Sequence, residues 1–355
     1  MASDRSVRVA VVGTGCFGQN HLRVWRQIES AGKGVQLVAL VEPDPARSAA
    51  FAAEFQIPAY ATVQQLLLAQ PLPDAASIAV PTAQHASVAT LLLSAGIDVL
   101  VEKPITSTLE EADALIRLAH RQGRLIQVGH LERFNPAVLA VRPLLNRPLF
   151  FEAHRLSVFT PRSLDVDVVL DLMIHDLDIV CSFVASPIRE VRAVGLPVLS
   201  SKVDIANVRV EFESGCIANF TASRVSTERV RKLRFFQPHQ YISIDYARQD
   251  VLTINVSSSP GSASPLDAAQ SESAIRFQPT DMQHPTPQLG MRKLQVPPGE
   301  PLHLELESFA DCVRQRRQPI VSAAEGRAAL ALALDILAAI HAHHNRADLH
   351  LVWDR

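Results

Sequence analysis

Residues Val7–Val12 form an unbroken apolar run that ends in Gly13-Thr14-Gly15-Cys16-Phe17-Gly18 and passes at once into an amphipathic stretch from Phe17 to Ile28. A strand that turns on glycines directly into a helix constrains this chain more than any other feature. In the spacing GxGxxG the first glycine permits the tight turn, the second lets backbone approach a ligand, and the third lets the helix pack close to the strand. The helix start offers free N–H groups and the positive end of its dipole to an anion such as a pyrophosphate. The same alternation continues. Strands are predicted at Val35–Val41, Ala75–Val80, Asp98–Val101 and Arg124–Val128, and helices at Pro45–Phe55, Val63–Ala69, Ala83–Ala95 and Leu109–Gln122. Runs such as SIAV and VLVE are apolar on successive residues, as in strands covered on both faces. The pattern predicts an α/β domain over residues 1–128, a doubly wound (Rossmann) parallel sheet.

The pattern changes at Gly129. After GHLERFNPAV come a strand at Phe150–Val158 and one helix from about Val166 to Val184. Stretches of β character follow at Glu190–Val198, Asp204–Phe212, Cys216–Ser226, Lys232–Phe236, Tyr241–Tyr246 and Val251–Val256. Residues 129–355 therefore read as a second, α+β domain with an open, largely antiparallel sheet. Ser257–Ser273 and Pro279–Pro301 read as long surface loops. Helices return at Leu302–Arg316 and Ser322–His343, and LHLVW near the end is strand-like. A chain of 355 residues can bury two cores.

Composition removes several function classes. With 48% hydrophobic and 20% charged residues the balance is that of a globular protein. A net charge of −2 offers no field for nucleic acid or an anionic membrane surface. Cys16, Cys181, Cys216 and Cys312 stand far apart, so neither a zinc cluster nor a disulfide framework is expected. The first apolar run is too short for a signal peptide or a span, and Asp335 interrupts the apolar stretch Ala328–Ile340. The expectation is a cytoplasmic protein with a small-molecule substrate and no metal.

Three further positions carry chemistry. Glu42 closes the second strand, 24 residues after Gly18. A carboxylate there can accept from both hydroxyls of an adenosine ribose and repels a 2′-phosphate, which favours NAD over NADP; Arg47 nearby leaves the second cofactor open. Lys103 ends a parallel strand on the edge where such sheets bind ligands, and Pro104 after it restricts its backbone to extended forms and permits a cis bond. Asp171, His175 and Asp178 fall at i, i+4 and i+7 and so share one helix face. An acid one turn before a histidine can orient its ring. To oxidise an alcohol, a base must take the hydroxyl proton while hydride leaves the carbon. Imidazole suits that role near neutrality, and an ammonium can stabilise the developing alkoxide. Read separately, each of these could be a surface charge or a cap.

Together, GTGCFG, PTAQH, VEKP and DLMIHDLD resemble the glucose–fructose oxidoreductase/inositol dehydrogenase (Gfo/Idh/MocA) family over most of the chain. The resemblance implies NAD as cofactor, Lys103, Asp171 and His175 as the catalytic group, and Pro81, Thr82, His85 and Glu102 along the nicotinamide side. It also implies homodimer or homotetramer contacts through the second sheet. GHLERFNPAV with DLMIHDLDIV is most similar to the nucleotide-sugar members, those like UDP-N-acetylglucosamine 3-dehydrogenases, whose 3-keto product an aminotransferase converts to a 3-amino sugar for lipid A. His130 stands where many members carry Asn, and is taken as a nicotinamide or sugar contact. A UDP-sugar needs cations for its diphosphate, for which Arg133, Arg155 and Arg162 are the candidates; without that substrate they are ordinary surface arginines. Asn135 either binds a sugar hydroxyl or caps the helix that Pro136 begins. The alternatives are an inositol or free-sugar dehydrogenase and, in a different class, a non-catalytic NAD-binding regulator.

Overall fold

The computed structural model describes residues 6–160, 166–257, 275–276 and 288–346. These pack as two compact units. One holds the residues up to Phe134 together with Gly299–Ala331, and the other holds Asn135–Pro298 together with the residues from Leu332.

In the first unit β1 (Val7–Val12), β2 (Val35–Val41), β3 (Ala59–Tyr60), β4 (Ala75–Ile78), β5 (Asp98–Glu102) and β6 (Ile126–Gly129) form one sheet. Its order is β3-β2-β1-β4-β5-β6, and every pairing is parallel. The chain winds outward from β1 to β3, returns to β4 beside β1, and winds outward again. Strand order therefore reverses between β1 and β4, the place where such sheets open a crevice at their carboxyl edge. The connecting helices are α1 (Cys16–Ser30), α2 (Pro45–Phe55), α3 (Val63–Leu68), α4 (His85–Ser94) and α5 (Leu109–Gln122). Their ends follow local chemistry. The Asp44 side chain accepts from Arg47 N–H ahead of Pro45, Thr108 and Glu111 make a reciprocal capping box, and Gly123 closes α5 at φ +59°. α1 buries Leu22, Val24, Trp25 and Ile28 against β1 and β2, and the Trp25 indole N–H donates to Ser77 Oγ at 2.9 Å.

In the second unit come α6 (Pro136–Val141), β7 (Phe150–Val158), α7 (Ile174–Val184), β8 (Ile188–Leu196), β9 (Ile205–Phe212), β10 (Ile217–Ser226), β11 (Val230–Gln237), β12 (Gln240–Asp245), β13 (Asp250–Ser257), β14 (Ile275–Arg276) and β15 (Gln288–Lys293). The nine strands order as β14-β15-β13-β12-β11-β7-β10-β9-β8, antiparallel except for β7 with β10. Side chains alternate across this sheet. Phe151 and Phe235 point inward and stack at 5.1 Å, and Phe183 of α7 closes on both, so α7 covers that face. Phe150 and Phe236 point the other way, and Phe236 stays exposed. One predicted surface loop is partly wrong: β15 runs through the proline-rich stretch Pro279–Pro301 and pairs with β13 from Leu252↔Lys293 to Ser257↔Gln288. The Ser-rich stretch from residue 258 and the terminal LHLVW lie outside the described residues.

α8 (Pro301–Gln315) belongs to the first unit and sets Leu302, Leu306, Phe309, Ala310 and Val313 in the core that holds Val9, Val11 and Trp25. α9 (Ala323–Arg346) begins in the first unit and belongs to the second from Leu332. No helix among the described residues is long and apolar enough to cross a membrane.

Candidate active site

In the first unit the glycine turn has the shape the motif implies. Gly13 stands at φ +87°, and a Cβ there would lie 2.8 Å from Ala79 O. A Cβ on Gly18 would meet Gly13 O at 2.0 Å, so only glycine lets α1 approach β1 this closely. Gly15 differs: a Cβ there would meet nothing within 4 Å. The first turn of α1 has no side-chain cap and no acidic residue. Backbone N–H groups facing open space, without a competing carboxylate, fit the pyrophosphate of a dinucleotide. Cys16 and Phe17 are exposed at the rim of this cradle.

Glu42 and Thr14 are buried and hydrogen-bonded to each other. Glu42 Oε2 accepts from Thr14 N–H at 3.1 Å and from Thr14 Oγ1 at 2.6 Å. Oε1 accepts from Asp44 N–H at 3.0 Å and from Arg47 at 2.8 Å. Burial pushes this carboxyl up, but the donors from Thr14, Asp44 and Arg47 outweigh it and hold the group at about 2. Both oxygens expected to meet a ribose are engaged within the protein, where they brace the glycine turn. Arg47, half exposed, is the group that extends outward from this corner.

The other end of the crevice gathers the remaining predicted residues of this unit. Pro81 is exposed and Thr82 half-buried in the short turn after β4. His85 is buried, with both ring nitrogens on backbone carbonyls. Its Nε2 lies 2.9 Å from Val80 O and its Nδ1 2.9 Å from Pro104 O, so it ties the β4 edge to the turn after Lys103. Glu102 ends β5 and is buried; Lys103 follows, half-buried, with a cis bond to Pro104. His130 follows β6, is 1% exposed, and neither ring nitrogen has a hydrogen-bond partner. Burial, then the nearby Lys103 and Arg133 cations, hold it down to about 3, against the weaker pull of Glu102 and Glu325. It is a neutral imidazole with one donor and one acceptor to offer.

Two of the three arginines expected on a diphosphate are buried against carboxylates. Arg133 is buried and bonded to the Glu325 carboxylate and to Ile320 O. In the second unit Arg155 is buried in a bidentate pair with Asp176, at 2.7 and 3.0 Å, under a cation–π contact with Tyr246 at 5.2 Å. Each has the carboxylate that a buried cation needs. Arg162 lies outside the described residues. Asn135 caps α6 through Ala137 N–H and donates to Tyr246 O, both at 3.1 Å, so it too is an internal bond.

The expected catalytic helix begins irregularly. A single π-helical turn at Val169–Met173 precedes α7, and such turns recur at functional sites because they re-aim side chains without ending the helix. Asp171, inside that turn, and His175, in the first turn of α7, are half-buried, and Asp178 is buried. Two residues escaped the sequence reading. Asp176 was hidden because its partner Arg155 lies 21 residues away in sequence. His21 sits on the apolar face of α1, and a polar ring on such a face is itself a signal that a partner is needed.

Comparison with known proteins agrees with this geometry. The model of an oxidoreductase family with an NAD-binding Rossmann fold matches residues 7–130. That of the GFO/IDH/MocA C-terminal domain matches residues 146–238. The chain is 32% identical to the UDP-N-acetylglucosamine 3-dehydrogenase of Acidithiobacillus ferrooxidans, over 96% of this chain and 99% of that protein. A solved structure of that enzyme superposes with a TM-score of 0.81 at 31% identity, covering 95% and 98% of the two chains. The inositol 2-dehydrogenase of Acidothermus cellulolyticus is 29% identical over 55% and 58%. With the glycine cradle on a parallel sheet and an α+β unit beyond it, these matches establish that the chain belongs to the GFO/IDH/MocA oxidoreductase family and is an NAD-dependent dehydrogenase acting on CH–OH groups.

Proposed function

We propose that the chain oxidises a sugar hydroxyl, the 3-hydroxyl of UDP-N-acetylglucosamine or a related UDP-sugar. The observation that carries this reading is the end-to-end likeness to a UDP-N-acetylglucosamine 3-dehydrogenase, where the likeness to an inositol 2-dehydrogenase stops at little more than half of either chain. Bound NAD supplies the hydride acceptor. His175 takes the hydroxyl proton as the carbon gives up hydride, Asp171 anchors the substrate and supports His175, and Lys103 stabilises the oxygen as negative charge develops. Pro81, Thr82 and Glu102 line the nicotinamide side, and neutral His130 offers one donor and one acceptor there. In this reading the first unit holds the cofactor and the second the substrate. The exposed apolar positions Phe236, Val194 and Leu196 on the second sheet support contacts in a homodimer or homotetramer. The 3-keto product is a substrate for an aminotransferase making a 3-amino sugar for lipid A, and we assign the reaction to that route, in the cytoplasm.

One observation favours a second reading. Arg133 and Arg155, two of the three cations expected on a diphosphate, already pair with Glu325 and Asp176, whereas inositol or a free sugar needs no cation. The two readings separate in one assay. NADH formation is followed with UDP-N-acetylglucosamine, myo-inositol and glucose, with a glutamate-dependent 3-aminotransferase present to draw off the keto product. Turnover with the nucleotide sugar is expected; turnover with the free polyol alone overturns the UDP-sugar assignment and leaves the hydride chemistry in place.

A further inference from the structure

His21 lies three positions past Gly18 on α1, on the face that otherwise buries Leu22, Val24, Trp25 and Ile28. It is wholly buried, its Nε2 is 2.9 Å from Oε1 of Glu102, and Phe17 meets its ring edge-on with centroids 5.4 Å apart. The acceptor ends β5, two strands from β1 on the side opposite β2. β6 makes room for it. A Cβ on Gly129 would lie 2.7 Å from Glu102 Oε1 and 2.9 Å from Oε2, so any other residue there would displace the carboxylate. Three elements thus fix a single acidic group: α1 supplies the donor, β5 the residue, and β6 the space. Among the described residues Oε2 has no hydrogen-bond partner.

A dinucleotide lying across the switch point of this sheet has its adenosine half toward β2 and its nicotinamide half over β4 and β5. Glu102 therefore stands under the nicotinamide half, while the helix that holds it begins at the pyrophosphate. We propose that His21 is a positioning residue for the cofactor. By donating to Oε1 it holds the Glu102 carboxylate with Oε2 directed to the hydroxyls of the nicotinamide ribose. The helix that binds the phosphates thereby also sets the acceptor for the sugar beyond them. This rests on the assignment of Glu102 to the nicotinamide side and is independent of which sugar is oxidised. Without its donor, a buried carboxylate is costly and turns toward water, losing the geometry that accepts the ribose.

The test uses the full chain and two ligands. His21→Leu removes the donor, and His21→Gln restores an N–H on a flexible side chain. Each is titrated with NADH and with ADP, which occupies only the adenosine and phosphate end. His21→Leu is expected to weaken NADH roughly tenfold, about 1.4 kcal/mol, with ADP unchanged and most of the loss recovered in His21→Gln. In a Glu102→Ala background, His21→Leu adds no further loss, because the carboxylate that His21 orients is already gone. Unchanged NADH affinity overturns the proposal. So does an equal loss for ADP, which marks general distortion of α1, or a His21→Gln variant as weak as His21→Leu. No sugar enters the titrations, so a failed substrate assignment leaves their outcome intact.

Discussion

His130 shows how a single buried ring leaves its mark on the whole protein's response to acid. The unfolded chain protonates this ring near its ordinary value of 6.5, but the folded ring is held down to about 3. Between those values the unfolded state binds the extra proton, so stability falls as pH drops through that window, by at most about 1.4 kcal/mol per pH unit. His130→Asn removes this contribution. Urea unfolding from about pH 6.5 down to about pH 4 is expected to show a shallower loss in the variant; parallel curves would refute the assignment. At the reacting carbon, His175→Ala is expected to lower the maximal rate by roughly 10²–10⁴-fold with NADH binding little changed, the range for losing a general acid–base. Turnover and NADH titrations on one preparation separate the two effects. The glycine cradle was legible because its spacing is local and each glycine has a steric reason. The fate of Glu42 was not: a sequence shows a carboxylate at a strand end but not that Thr14, Asp44 and Arg47 converge on it.

At the scale of elements, α7 is held to β7 by the Arg155–Asp176 pair, and Asp176 is next to His175 in sequence. Arg155→Ala strands a buried carboxylate and is expected to cost about 3–5 kcal/mol of stability. A double replacement by apolar residues of similar size costs far less. Denaturant unfolding measures this, and the Michaelis constant for the sugar distinguishes it from a diphosphate contact. A substrate ligand would raise that constant while leaving stability alone. The strands and helices themselves were largely readable from apolar periodicity. The π-helical turn at Val169–Met173 was not, because one extra residue barely disturbs an apolar stripe. β15 was missed because its flanking prolines drew the reading toward a loop. Yet Leu289 and Met291 alternate as a strand should, and Met291 pairs with Ile254.

For the molecule as a whole, the first unit is not a continuous length of chain. Leu306 and Phe309 of α8 are fully buried in the same core as Val9 and Trp25. The free edge of β6 is covered by the segment before α9, where Val128 N–H donates to Val321 O at 3.0 Å and Gln127 bridges to Ser322. Arg133 is buried against the Glu325 carboxylate. A fragment ending at Phe134 lacks all of these and is expected to show neither cooperative unfolding nor NADH binding. Joining residues 299–331 to it through a flexible linker is expected to restore both, measured by circular dichroism and NADH fluorescence. The helical character of Leu302–Arg316 was plain in the sequence, but nothing local says which sheet an amphipathic helix will cover.

This return of the chain has a consequence during synthesis. When the ribosome has made β1 to β6, the sheet still lacks one covering helix and the partner for its outer edge, both encoded more than 160 residues later. All nine strands of the other sheet are translated in the interval. Assembly of the nucleotide cradle's core therefore waits until residues 299–331 have been made. The order in which the parts finish is set by the position of residues 299–331, not by the order in which the strands emerge.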